Sequence, residues 1–342
     1  LKTAFPKPYR KRKRGCCGAT AFTASLSANL LEPAAAFAFS DGLQPRKGYL
    51  KTMNLSRRNL LKLAAAILAV SACDRQDDGS RHSFNKPDKE TSMQSKTIKH
   101  QGATLHYQTG GKETAPVIVL LHGGFGSIAD FAPLLPRLQQ HYRVIAIDTR
   151  GHGRSTLGTA ALTYAQAAED AHQILRHEGV EKYSLFGFSD GGTTAYRLGA
   201  ADKNIEKIIT VGAEWHKKHL DGMRPMFETI NLDFVKENLP EQLAAYQAAN
   251  PEPDAAKWAA ALKTMWLDEG ASGYPNENIR QIQTPVLAIR GEADFLLAFD
   301  DWAALKTELP EVHLMNVPFA VHEAIKEQPE IVWAAVQAFG QK

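Results

Sequence analysis

Read for apolar positions alone, the chain changes character near Thr97. From there short, nearly continuous apolar runs alternate with stretches whose apolar residues recur every three or four positions. Residues 97–98 and 104–107 flank Gln101-Gly102 and read as a β-hairpin. Residues 116–121 and 143–147 are apolar on both faces, as strands covered on both sides must be, and 131–140 between them has helical spacing. A helix over 163–177 sets Ala167, Ala171, Ile174 and Leu175 on one face. Strand 183–188, helix 193–200, strand 207–211, strand 286–289, helix 301–309, strand 312–317 and helix 330–339 follow. Such alternation predicts an α/β protein with a doubly wound, mainly parallel sheet.

The alternation stops over residues 216–279, which are helical in pattern and rich in large side chains, among them Met223, Phe227, Phe234, Trp258 and Trp266. Lying between two core strands, this stretch reads as a helical cap inserted over the carboxyl edge of the sheet. The core is then 97–215 and 280–342. Most of the cap's aromatics are expected to pack the cap onto the core, and a few to line a cavity. No internal repeat is visible.

Charge alters the picture at the front. The chain's formal charge is +3, but residues 1–72 hold thirteen Lys/Arg against two Asp/Glu, so the remainder carries −8. An acidic body argues against nucleic acid as a partner. The basic run 11–14 reads either as a solvated patch or as a localisation or polyanion-binding signal. Residues 1–52 show no sustained period and read as an upstream extension. Residues 53–73 combine a basic start, an apolar stretch too short to span a bilayer and small residues before Cys73, the pattern of a secretory signal. Arg57-Arg58 resembles a twin-arginine export signal, and Val70-Ser71-Ala72-Cys73 resembles the lipobox of bacterial lipoproteins. That resemblance implies lipidation at Cys73, a membrane partner through the anchor, and a place in the bacterial cell envelope. Asp74 resembles the signal for inner-membrane retention, which implies a protein facing the periplasm. An uncleaved anchor helix or an organelle transit peptide are the alternatives. Residues 74–96, polar and charged, read as a tether. Cys16 and Cys17 lie in the extension, so the body contains no disulfide.

The chemistry concentrates at Leu-Phe-Gly-Phe-Ser-Asp-Gly-Gly, residues 185–192. Ser189 sits in a G-x-S-x-G pattern between a strand and a helix, a junction that must turn sharply and so needs Gly187 and Gly191. Further pieces are His122-Gly123-Gly124 after the first parallel strand, the turn over 148–155, Gly-Glu-Ala-Asp at 291–294 after a late strand, and His322. Together, in the order serine, acid, histidine, they resemble the α/β-hydrolase superfamily from about Thr97 to the C-terminus. Serine as nucleophile argues against the dehalogenases and epoxide hydrolases of that fold, which use a carboxylate. The resemblance implies a catalytic Ser189, Asp294 and His322. A serine hydroxyl needs a base near neutral pH, and the base needs a carboxylate to hold its tautomer. The backbone N–H groups of Gly124 and Asp190 are the candidate oxyanion donors.

Competitors exist for each role. His122 and His152 read as braces of their loops, and His313 lies in a strand. Glu214 holds the superfamily's alternative acid position. Asp148 precedes the serine and is expected to tie its own turn together, and Glu292 to face solvent. The histidine context, Phe-Ala-Val-His-Glu-Ala, lacks the glycine often found just before it in this superfamily. Asp190 reads in two ways. It is either an acid favoured at a helix start, or, by similarity to hydrolases of amino-acid esters, a partner for a substrate ammonium. No metal-ligand spacing or phosphate-cradling loop is visible, so no metal or cofactor is expected. The expected activity is cleavage of a small ester, thioester, lactone or amide through an acyl-enzyme. C–C bond hydrolysis, acyl transfer and perhydrolysis are the alternatives on the same triad, and an inactive envelope binding protein is the alternative without it.

Overall fold

Eight strands of the computed structural model, which describes residues 92–341, form one sheet in the order β1-β2-β4-β3-β5-β6-β7-β8. They are β1 (Gln94–His100), β2 (Ala103–Gly111), β3 (Val117–Leu121), β4 (Arg143–Ile147), β5 (Tyr183–Phe188), β6 (Ile205–Val211), β7 (Val286–Gly291) and β8 (His313–Val317). The first two pairings, β1 with β2 and β2 with β4, are antiparallel, and every later one is parallel. The sheet is therefore mainly parallel, as the apolar runs predicted.

Period-two alternation divides the core between the two faces of the sheet. Val119, Leu121 and Leu185 pack on one face beneath α2 (Tyr164–His177) and α3 (Asp190–Ala201). Ile118, Leu120 and Phe186 point the other way, against α1 (Leu135–His141) and α7 (Pro329–Gly340). Between β6 and β7 the chain leaves the sheet for α4 (Leu232–Asn238), α5 (Pro240–Ala249) and α6 (Ala255–Trp266). These enclose a separate apolar cluster around Trp258, Leu262 and Val235, which reaches the core through Phe125 and Tyr164.

Several boundaries move. The polar tether ends earlier than residue 96, because β1 already begins at Gln94. Its edge is polar, and it is held by seven paired residues on β2 and by Lys96 Nζ, 2.9 Å from Glu178. At the hairpin turn Gln101 and Gly102 both have positive φ (46° and 76°), the backbone that a tight two-residue turn demands. The segment 131–140 is a short 3-10 turn, Ile128–Phe131, and then α1 with Pro136 in its first turn. The segment 301–309 breaks at Ala304 into two short helices. The cap ends before residue 276, because the 3-10 turn Asn276–Gln281 places Ile279 and Ile282 in the main core. Residues 1–52, the signal 53–73 with Cys73, and the tether up to residue 91 lie outside the described residues. Among the described residues no helix is long and apolar enough to cross a membrane.

Candidate active site

Strand order places the site. β3 lies beside β5 in parallel, with β4 on its other side, so sequence runs outward in both directions from this pair. The loops leaving their carboxyl ends open a crevice there, and Leu121 pairs with Gly187 at its lip. The β3 loop carries His122-Gly123-Gly124, and the β5 loop carries Ser189.

The β5 turn explains its glycines. Ser189 has φ 50° and ψ −118°, a conformation that a side chain adopts only under strain, and α3 starts at the next residue. A Cβ on Gly187 would overlap Gly191, and a Cβ on Gly191 would overlap the Leu121 carbonyl. Helix α3 thus begins at Asp190, three residues before the apolar spacing suggested. The N–H of Asp190 belongs to the first turn, where amides have no acceptor within the helix. Gly124 is confined differently, because a Cβ there would meet the Asp190 carboxylate and the Trp266 ring.

The structure brings Ser189, His322 and Asp294 together. His322 Nε2 lies 2.9 Å from Ser189 Oγ, and Nδ1 lies 3.0 Å from each oxygen of Asp294. Asp294 is buried, and its Oδ1 also accepts the N–H groups of Leu296 (2.9 Å) and Leu297 (3.1 Å), so its orientation is fixed. With Nδ1–H donating to that carboxylate, Nε2 is the atom free to accept the serine proton. Burial, the largest single influence, would lower the His322 imidazole, but the charge and hydrogen bond of Asp294, with the Glu323 and Asp190 charges beside them, together outweigh it, and the net displacement is upward from the ordinary value. The residue before His322 is Val321 rather than glycine. The turn's strain sits instead at Phe319 (φ 61°), and Val321 N–H donates to Glu327.

The competing residues find other work. His122 accepts Thr149 N–H at Nε2 (2.9 Å) and so donates from Nδ1 to the Gly123 carbonyl (2.7 Å), bracing the β3 loop. His152 is fully enclosed, and burial pushes it down to about 3. His313 is exposed on β8. Asp148 accepts from Ile128 N–H, Arg154 N–H and the His106 ring, which ties the turn 148–155 to the far end of the β3 loop. Glu292 is exposed, and its carboxylate accepts Phe319 N–H at 3.1 Å.

Glu214 does not face His322 with its carboxylate. It accepts from the Trp215 N–H (2.7 Å) and from the His219 ring, whose other nitrogen is 3.4 Å from Asp301, at ion-pair distance without hydrogen-bond geometry. Glu214, His219 and Asp301 are the group, among the described residues, whose donor atoms come within 4.8 Å of one another and so could hold a metal.

Asp190 has partners that sequence reasoning missed. Its carboxylate accepts the Tyr164 hydroxyl (2.7 Å) and the Trp266 indole N–H (2.8 and 2.9 Å), so it joins α2 and the cap helix α6 to the serine turn. Burial raises its pKa against the pull of these two donors. No spacing links residues 164, 190 and 266; only the fold does. The cap's aromatics also divide. Met223, Met226, Phe227, Phe234 and Trp266 line a cavity of about 180 Å³ above Ser189. Tyr246 and Trp258 instead stack on each other 4.2 Å apart inside the cap.

The alpha/beta hydrolase fold family matches residues 116–268. The 3-oxoadipate enol-lactonase 1 of Acinetobacter baylyi is 27% identical over 250 residues, which cover 67% of this chain and 90% of the relative. The serine hydrolase BPHL of Homo sapiens is 30% identical over 224 residues, 60% of this chain and 72% of the relative. Among solved structures, E-2-(acetamidomethylene)succinate hydrolase has the same fold, with a TM-score of 0.61 and 20% identity over 73% of this chain and 100% of its own.

Proposed function

The chain belongs to the alpha/beta hydrolase fold family, and from that premise we propose that it is a serine hydrolase cleaving a small carboxylic ester through Ser189, His322 and Asp294. The observation that carries this reading is the imidazole of His322, within hydrogen-bond reach of a strained serine on one side and a fixed carboxylate on the other. Ser189 Oγ adds to the ester carbonyl as His322 Nε2 takes its proton. The oxyanion faces the N–H groups of Gly124 and Asp190, and loss of one such donor typically removes about 2.7–4 kcal/mol of transition-state stabilisation. His322 then gives the proton to the departing alcohol, leaving an acyl-serine. A water deprotonated by the same nitrogen releases the acid and restores the serine.

Some relatives are named for lactone or succinate-derivative substrates, and acyl transfer or C–C cleavage on the same three residues is the alternative reading. The N-terminal pattern supports an exported lipoprotein anchored through Cys73. The test of the central reading is covalent labelling with a fluorophosphonate probe. The wild-type protein is expected to label at Ser189 and to hydrolyse p-nitrophenyl acetate, and Ser189→Ala to do neither while keeping its melting temperature. Absence of labelling in folded wild-type protein would support an inactive binding protein instead.

A further inference from the structure

We infer that the cavity over Ser189 accepts an uncharged, apolar acyl group and rejects acyl groups that carry a carboxylate. This rests on the hydrolase reading above and names the substrate class for that site. One side of the cavity is a hydrocarbon wall from the cap and its approach: Leu220, Met226, Phe227, Ile230, Phe234 and Leu239. Such a wall rewards an alkyl or aryl chain by roughly 25 cal/mol per Å² of apolar surface removed from water.

The remaining polar groups are arranged against a second anion. Among the described residues the cavity is lined by five carboxylates, Asp130, Asp190, Glu214, Glu323 and Glu327, against one lysine, Lys326, and no arginine. Lys326 stands at the rim, with its ammonium 2.9 Å from Asp130 and 2.8 Å from Glu323. One positive charge shared by two acids leaves that trio negative and the ammonium already engaged. Of the other lining acids, Glu214 is engaged by the His219 ring, which lies between it and Asp301. Asp190 receives only neutral donors, Tyr164 and Trp266.

Burial opposes negative charge at both Asp190 and Glu214, raising each from the ordinary carboxylate value, and the same desolvation would oppose a further anion beside them. A substrate carboxylate would lose its water, find no unengaged lysine or arginine among the described lining residues, and add repulsion to both groups. Rejection here comes from like charge and desolvation, not from size.

The test uses two esters of equal chain length, p-nitrophenyl pentanoate and p-nitrophenyl hemiglutarate, at pH 8. The hemiglutarate is expected to have a kcat/KM about 50-fold lower, as like-charge juxtaposition in an enclosed site requires. Values within about threefold of each other would overturn the inference, since repulsion of that kind exceeds so small a ratio. Calorimetric binding of pentananilide and glutaranilic acid reads the same preference without turnover. Neutral ligand bound more tightly supports the charge rule, and equal affinity overturns it. Failure of both esters to turn over, with the binding preference kept, refutes the nucleophile reading alone. Glu214→Gln and Asp190→Asn, each checked for fold by circular dichroism, are each expected to narrow the gap about tenfold by removing one enclosed charge. If both fold and the gap is unchanged, these carboxylates are not its cause and the inference falls.

Discussion

Ser189 occupies a backbone region that only glycine enters freely, so the turn survives because its neighbours leave it no other course. Gly191 is the tightest of those neighbours. Gly191→Ala is expected to cost more than about 3 kcal/mol or to prevent folding, because the new methyl would sit in the Leu121 carbonyl, and denaturant unfolding measures it. The pH profile follows from His322. As the proposed base it must be neutral to take the serine proton, and the facing Asp294 draws the imidazole upward. The acid limb of kcat/KM for a neutral ester is therefore expected above the ordinary imidazole value, with activity rising as pH rises through it. Asp294→Asn removes the opposing charge, so its limb should move to lower pH while kcat falls about 10⁴-fold. A limb that stays in place in Asp294→Asn would show that the carboxylate does not set the titration. The three residues were legible because the motifs give their order along the chain, each just after the end of a strand, β5, β7 and β8. The partners of Asp190 were not, because Tyr164 and Trp266 approach it from elements far away in the chain.

At the scale of elements, strands buried on both faces declared themselves by continuous apolar runs, and β3, β4 and β5 fall within a residue of their predicted bounds. β1 was shortened because an edge strand needs no apolar face: Ile98 is its single aliphatic residue, and the ladder to β2 does the rest. The cap was legible as an insertion but not as a surface. Its helices have apolar residues on more than one face, and only packing divides the wall of the cavity from the cap's own core. That division makes two substitutions behave differently. Trp258→Ala empties the centre of the cap and is expected to destabilise by about 3–5 kcal/mol in thermal unfolding. Trp266→Phe keeps an aromatic ring, though a smaller one, but withdraws the indole N–H from Asp190, removing a hydrogen bond to a carboxylate worth about 1.5–3 kcal/mol when that group is ionised. Its larger effect should be on kcat, since the lost contact steadies Asp190, the residue proposed to supply an oxyanion N–H. A Trp266→Phe enzyme with normal kcat and raised KM would mean that the indole serves only to bind substrate.

Across the whole molecule, residues 133 positions apart meet because parallel strands bring all their carboxyl ends to one edge. A linear motif search finds such pieces; their meeting is a property of the sheet. The same scale separates the acidic body from the strongly basic N-terminal region, +11 over residues 1–72 against −8 beyond. A hydrolase built without cysteine beyond residue 73 needs no disulfide to fold, which suits export by a route that carries folded proteins. If Cys73 is lipidated, membrane attachment and catalysis depend on separate parts of the chain. Cys73→Ser in a bacterial host is then expected to shift the protein from the membrane to the soluble fraction and to abolish palmitate incorporation. Its kcat/KM on a water-soluble ester should stay unchanged, because the described fold begins about twenty residues later, at Gln94. Arg57→Lys with Arg58→Lys should block export altogether and leave active enzyme in the cytoplasm, measured by fractionation and ester turnover. Retention of the Cys73→Ser protein in the membrane would place the attachment in the body itself and end the lipoprotein reading.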